Sequence, residues 1–291
     1  MGRALSLQLL VGGYCQHPGF VVNPRREGWA PRQFPALFAL IEHPTQGLIL
    51  YDTGYSPRFF TETARLPAAL YRYATPVVCP ASQTAVAQLA RRGIRPADIS
   101  LIILSHFHAD HVGGLLDFPQ ARLLYLRAAL DPQFRQHSAL TNLRRGLLPG
   151  LLPTNLPQRS TFAEDLPQCL LPQLAPFQTC YDLLGDGSLL GVDVSGHAPG
   201  QLGLLLTAQG GQLIFLVADA CWTRHAFESL ELPWPPVRLI KHDMTQYQTQ
   251  IRKLHALHAA RPELLLVPSH CQESIDKANT ALGDAGVHPT S

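Results

Sequence analysis

Four potential metal ligands packed into six positions, directly after an apolar strand, constrain this chain more than any other feature. Ser105 to Gly114 reads SHFHADHVGG and contains His106, His108, Asp110 and His111. The run before it, SLIILS at 100–105, has the length and apolarity of a buried strand. On a turn leaving such a strand, His106 and His108 can point to one side. Asp110 and His111, where a helix begins, can reach a second point a few ångströms away. Imidazole and carboxylate are ligands for zinc and other borderline divalent metals. Gly113 and Gly114 permit close backbone approach.

Four ligands do not complete two metal sites, and three further candidates occur at later strand ends. His197 follows the strand expected at 189–195, Asp219 follows 213–218, and His270 follows 264–268. Open α/β sheets place their sites where strands hand over to loops. The expected division gives His106, His108 and His197 to one cation and Asp110, His111 and His270 to the other, with Asp219 and a hydroxide bridging. The bound ions are expected to be two divalent cations, zinc by default, with iron, manganese or cobalt suiting the same ligands.

Composition removes several alternatives. The 291 residues are 46% hydrophobic and 15% charged, which is incompatible with a mainly disordered chain. Lys and Arg number 23 against 21 Asp and Glu, so the net charge of +2 gives no general field for nucleic acid or an anionic membrane. No apolar run approaches the ~18 residues of a membrane span. The apolar run at 5–11 reads as a first strand rather than an export signal, so a cytoplasmic protein is expected. Six scattered cysteines without a C-x-x-C pair suggest reduced, mostly buried thiols.

A hairpin is expected from strands at 35–41 and 47–52, and another from 202–207 and 213–218. One helix is expected over 82–92, capped by Ser82 and stopped by Gly93. A longer one is expected over 243–260, capped by Asp243, with Tyr247, Ile251, Leu254 and Leu257 on one face. The stretches 57–80 and 131–180 lack a steady period and read as helix-and-loop insertions in a single domain spanning 1–291. His137, His225, His242, His255 and His258 read as surface or capping residues. Trp222, Phe59 and Phe60 are the expected substrate contacts, while Tyr71, Tyr73 and Trp234 are either core or pocket.

The ligand set resembles that of the metallo-β-lactamase-fold hydrolase superfamily, over nearly the whole chain. Asp52 in LYDTG matches that family's first motif, in which the aspartate orients the metal-binding histidines. The resemblance implies a four-layer αββα sandwich with the metals at one edge of the sheets. Within the superfamily, GHAPGQ at 196–201, DACWT at 219–223 and the short tail after His270 are similar to the N-acyl-homoserine lactone lactonases. There an aromatic hydroxyl follows the bridging aspartate by three positions. Trp222 stands at that position here, and an indole N–H donates one hydrogen bond but shuttles no proton.

The expected reaction is hydrolysis of a lactone or carboxylic ester carrying an apolar acyl or aromatic group, by a hydroxide shared between the metals. Asp110 and Asp219 are the expected catalytic carboxylates, with Asp110 moving a proton to the leaving group. The partner is then a small molecule with a lactone or ester carbonyl, with no nucleic acid or membrane, and a homodimer is compatible with the sequence. A phosphodiesterase on the same site would need arginines nearby, and Arg58, Arg72, Arg144, Arg145 and Arg224 are candidates. A non-catalytic ligand-binding member of the fold would be expected to have lost ligands, yet all seven are present. The D-T-G at 52–54 is a single copy, whereas an aspartic protease needs two facing carboxylates.

Overall fold

Residues 4–238 and 242–283 are described by a computed structural model. Two sheets organise it, and the alternating apolar residues of their strands explain how the layers stack. The first sheet contains β1 (Ser6–Pro18), β2 (Pro31–His43), β3 (Gly47–Tyr51), β4 (Val77–Val78), β5 (Ile99–Ile103), β6 (Arg122–Tyr125) and β7 (Ser160–Phe162), in the order β4-β1-β2-β3-β5-β6-β7. The second contains β8 (Gln168–Leu170), β9 (Thr179–Asp182), β10 (Leu189–Asp193), β11 (Leu202–Thr207), β12 (Leu213–Ala218) and β13 (Leu265–Pro268), in the order β13-β12-β11-β10-β9-β8.

Successive residues of a strand face opposite sides of its sheet. On β2, Leu37, Ala39 and Ile41 enter the core shared by the two sheets, while Phe38 and Leu40 enter the core under the outer helices. On β12, Ile214 and Leu216 face the shared core, while Phe215 and Val217 pack with Tyr247, Ile251, Leu254 and Leu257 of the helix Met244–Ala260. Helices thus cover the outer face of each sheet, which gives the expected αββα sandwich. Among the described residues no helix is long and apolar enough to cross a membrane.

Local chemistry sets the element ends. Asp243 caps the helix Met244–Ala260, its side chain accepting from the Gln246 N–H at 2.9 Å. The expected helix at 82–92 is instead a 3-10 turn, Ala81–Gln83, followed by the helix Ala85–Ala90. Its cap is Thr84, which accepts from Ala87 N, and not Ser82. Gly93 ends this segment at φ +74°, a conformation costly for residues with a Cβ.

The stretch 131–180 is more than an insertion. It holds β7 and β8, two short strands that extend opposite sheets, and the start of β9. Cys169 and Cys180 face each other across β8 and β9 and are joined by a disulfide. The expectation of six reduced thiols therefore fails at this pair, because scattered spacing does not reveal which cysteines lie opposite on neighbouring strands. Cys15, Cys79, Cys221 and Cys271 are buried, as expected.

Candidate metal centre

The seven predicted ligands arrive from four strand ends. His106, His108, Asp110 and His111 lie on the turn and short helix after β5. His197 follows β10, Asp219 follows β12 and His270 follows β13. Ala218 adopts φ +49°, and Asp52, just after β3, adopts φ +58°. Such left-handed backbone is costly for residues other than glycine and is sustained where surrounding structure demands it. At these two positions it turns the chain abruptly from strand to site.

The ligand atoms converge in three overlapping groups. Those of His106, His108 and His197, those of His106, His111 and Asp219, and those of Asp110, His111 and His270 each lie within 4.8 Å of one another. Asp219 stands between the outer groups. Its Oδ2 is 3.0 Å from His270 Nε2 and 3.3 Å from His197 Nε2, and its Oδ1 is 3.4 Å from His111 Nε2. Asp110 Oδ2 lies 3.4 Å from both His111 Nε2 and His270 Nε2. His197 Nε2 is 2.9 Å from His108 Nδ1.

A buried network fixes how these rings present their nitrogens. Asp52 accepts from the Ser105 N–H at 2.8 Å, from Ser105 Oγ at 2.7 Å and from His111 Nδ1 at 2.8 Å. Ser105 Oγ is also 3.0 Å from His106 Nδ1. His270 Nδ1 donates to the Pro35 carbonyl at 2.7 Å. Each contact engages the Nδ1 edge and aims Nε2 into the site, as outer hydrogen bonds to metal-bound histidines do. Thr53 Oγ1 donates to the His111 carbonyl at 2.9 Å and accepts from Gly114 N at 3.1 Å, tying the DTG turn to the ligand turn.

The residues present fit a bound cation. His106 Nε2, His111 Nε2 and Asp219 Oδ1 are buried and have no hydrogen-bond partner. Each such orphan costs about 1–3 kcal/mol unless something binds it. A nitrogen and oxygen donor set of this kind suits zinc and its neighbours in the first transition row. Electrostatics agree. Burial opposes charge on both groups, but His270, His197 and His111 hold Asp219 well below the usual carboxylate range, and Asp110, Asp52 and Asp219 hold His111 well above an ordinary imidazole. Burial, together with His111 and His108, pushes His106 far down.

Five of the seven, His108, Asp110, His197, Asp219 and His270, line a cavity of about 720 Å³ walled by Val21, Val22, Phe34, Leu70, Leu143 and Val237, among others, and His106 and His111 are buried behind them. Trp222 is part of the wall, as expected, and its Nε1 donates to Asp219 Oδ2 at 3.0 Å. Phe59 and Phe60 do not reach the cavity. Phe59 is 0% exposed within the core, and Phe60 packs beside it under the Arg72 guanidinium. The apolar spacing of the short helix Arg58–Glu62 turns Phe59 inward, behind Tyr55 and Tyr71, and these two tyrosines line the cavity instead.

Tyr73 and Trp234 are largely outside the core, at 79% and 41% exposure. Of the five candidate arginines only Arg144 lines the cavity. Arg58, Arg145 and Arg224 pair with Asp117, Asp131 and Glu228. Cys15, His17 and Phe34 line the cavity from β1 and β2 without any local sequence signal. Ser105 was within reach of sequence reasoning, because it adjoins the first ligand.

A family model described as the metallo-beta-lactamase superfamily matches residues 32–216. A probable metallo-hydrolase of Mycobacterium tuberculosis is 28% identical over 79% of this chain and 73% of its own length. The N-acyl homoserine lactonase AttM of Rhizobium radiobacter is 28% identical over 79% of this chain and 81% of its own. Among solved structures, an N-acyl homoserine lactone hydrolase with N-hexanoyl-L-homoserine at its catalytic metal centre superposes at a TM-score of 0.69. It is 19% identical and covers 95% of this chain and 97% of that one. The dizinc quorum-quenching lactonase AidC superposes at 0.60, with 16% identity and coverage of 94% and 89%.

Proposed function

Because this chain belongs to the metallo-beta-lactamase superfamily, we propose that it is a dinuclear metallo-hydrolase that opens a lactone, or cleaves a carboxylic ester, bearing an apolar acyl or aromatic group. The observation that carries this reading is the convergence of seven candidate ligand side chains, three of them with an orphaned buried atom and five of them lining a largely apolar cavity. The curated lactonases among its relatives support the same class of substrate.

His106, His108 and His197 would hold one cation, Asp110, His111 and His270 the other, with Asp219 between them. Divalent cations so held supply Lewis acidity, which polarises a carbonyl oxygen and makes water a usable nucleophile near neutral pH. The protein's own groups do the rest. Asp52 and Ser105 fix the His106 and His111 rings, and Pro35 fixes His270. Trp222 holds one oxygen of Asp219 in place. Asp110 faces the cavity and accepts a proton from the attacking water. As the acyl carbon–oxygen bond breaks, it returns that proton to the departing alkoxide, leaving a carboxylate and an alcohol. The apolar wall receives the acyl chain and excludes bulk water. Among the described residues Arg144 is the only arginine lining the cavity, which matches an uncharged ester better than a phosphodiester.

A panel of lactones graded by acyl-chain length, assayed on zinc-replete protein beside a chromogenic phosphodiester, tests this. The expectation is turnover of lactones, improving with chain length until the cavity is filled. Turnover of the phosphodiester with none of the lactones or matched esters would overturn it.

A further inference from the structure

Trp222 cannot serve an incoming carbonyl with the hydrogen it already gives to Asp219. Two phenols line the same cavity. Tyr55 and Tyr71 both line the cavity, and both pack edge-on against Phe59, at ring-centroid distances of 5.6 and 5.5 Å. Phe59 is entirely buried, so it acts as a fixed backing for the pair. Tyr55 is further anchored by its own N–H, which donates to the Gly12 carbonyl at 2.7 Å.

Of the two, Tyr71 presents more of its surface to the cavity: Tyr55 is 2% exposed, whereas Tyr71 is half-buried. A phenol has one hydrogen to give and keeps it at neutral pH.

We propose that Tyr71 is a catalytic residue, donating its phenolic hydrogen bond to the carbonyl oxygen of the bound lactone or ester, and that the Phe59-backed segment Arg58–Ala74 supplies the substrate-facing hydroxyl. The inference rests on the hydrolase reading of the cavity, and its test separates the two. A preorganised donor of this kind strengthens as negative charge develops on the carbonyl oxygen, and its loss typically costs about a hundredfold or more in rate. A neutral ligand carbonyl at the same place would lose only the ordinary hydrogen bond, about five- to tenfold in affinity.

The experiment compares wild type, Tyr71→Phe and Tyr73→Phe, all loaded with zinc. Two quantities are read: kcat/KM on the best substrate of the panel, and the Kd, by calorimetry, of the matching lactam, which keeps the carbonyl but resists hydrolysis. Tyr73, largely exposed, is the control. For Tyr71→Phe the expected result is a kcat/KM loss of about a hundredfold, and a lactam Kd raised about five- to tenfold, with zinc content and Tm as in wild type. Values of both within twofold of wild type would overturn the proposal. So would loss of zinc or of Tm in Tyr71→Phe, because the phenol would then be supporting the fold or the ligand turn rather than the substrate. A wild type that binds no lactam contradicts the proposal and the hydrolase reading together. If wild type binds lactam but turns over no lactone or ester, and Tyr71→Phe still weakens lactam binding, the donor stands and the hydrolase reading falls.

Discussion

Asp52 influences chemistry only through the side chains it holds. Its two oxygens are engaged by Ser105 and His111, and the whole group is buried. Asp52→Ala should therefore lower zinc affinity about 10–100-fold, measured by competition with a chelator, while far-UV circular dichroism is retained. Unchanged affinity would mean that His111 is held well enough by its packing alone. A second prediction concerns protons. Without metal, His111 and His270 are held above ordinary imidazole values, because neighbouring Asp110 and Asp219 outweigh burial. A cation must displace those protons, so zinc uptake should release protons in weak buffer at neutral pH and affinity should rise with pH. Asp219 lies well below the carboxylate range and does not compete with metal until far more acid conditions. An affinity that is flat with pH would contradict the ring assignments. At this scale the sequence was most informative. All seven candidate ligands and Asp52 come together because each adjoins a strand whose apolar run is plain. Phe59 and Phe60 lie outside the cavity lining, and an aromatic pair on a five-residue helix carries no sign of which ring faces a cavity.

Elements carry the site in two ways, as strand ends that present ligands and as wall segments that press on them. Gly146, at the end of the segment containing the helix Ala139–Arg144, adopts φ +68°, and a Cβ there would lie 2.4 Å from His108 Cδ2 and 2.6 Å from its Nε2. The wall and His108, a candidate metal ligand, are thus in direct contact. Gly146→Ala should shift the His108 ring and reduce zinc content or affinity by about tenfold, on the scale of disturbed outer contacts to a metal ligand. Titration against a chelator measures this, and full retention of zinc would contradict it. Asp243→Ala should instead cost about 1 kcal/mol of stability through loss of the helix cap, with zinc content unchanged. Hairpin β2–β3 and the long capped helix were legible because period and turn chemistry agree there. Strands β7 and β8 were not, since three-residue strands in a Pro- and Leu-rich stretch are specified by their neighbours in the sheet rather than by local pattern.

For the whole molecule, two sheets with a shared core bring the ends of β5, β10, β12 and β13 to one place, and helices seal the outer faces. The residues that make the cavity specific are contributed from 15 to 237, far apart in sequence, which is why ligands could be read and the substrate wall could not. The central claim is that this converged set holds two divalent cations that the reaction requires. It is tested most directly by stripping the protein with a chelator and following the hydrolysis rate of its best lactone as zinc is added back. The account predicts no rate in the stripped protein, a rise with added zinc, and a plateau at two equivalents per chain. A stripped protein that keeps its rate, or one that zinc never restores, would contradict it.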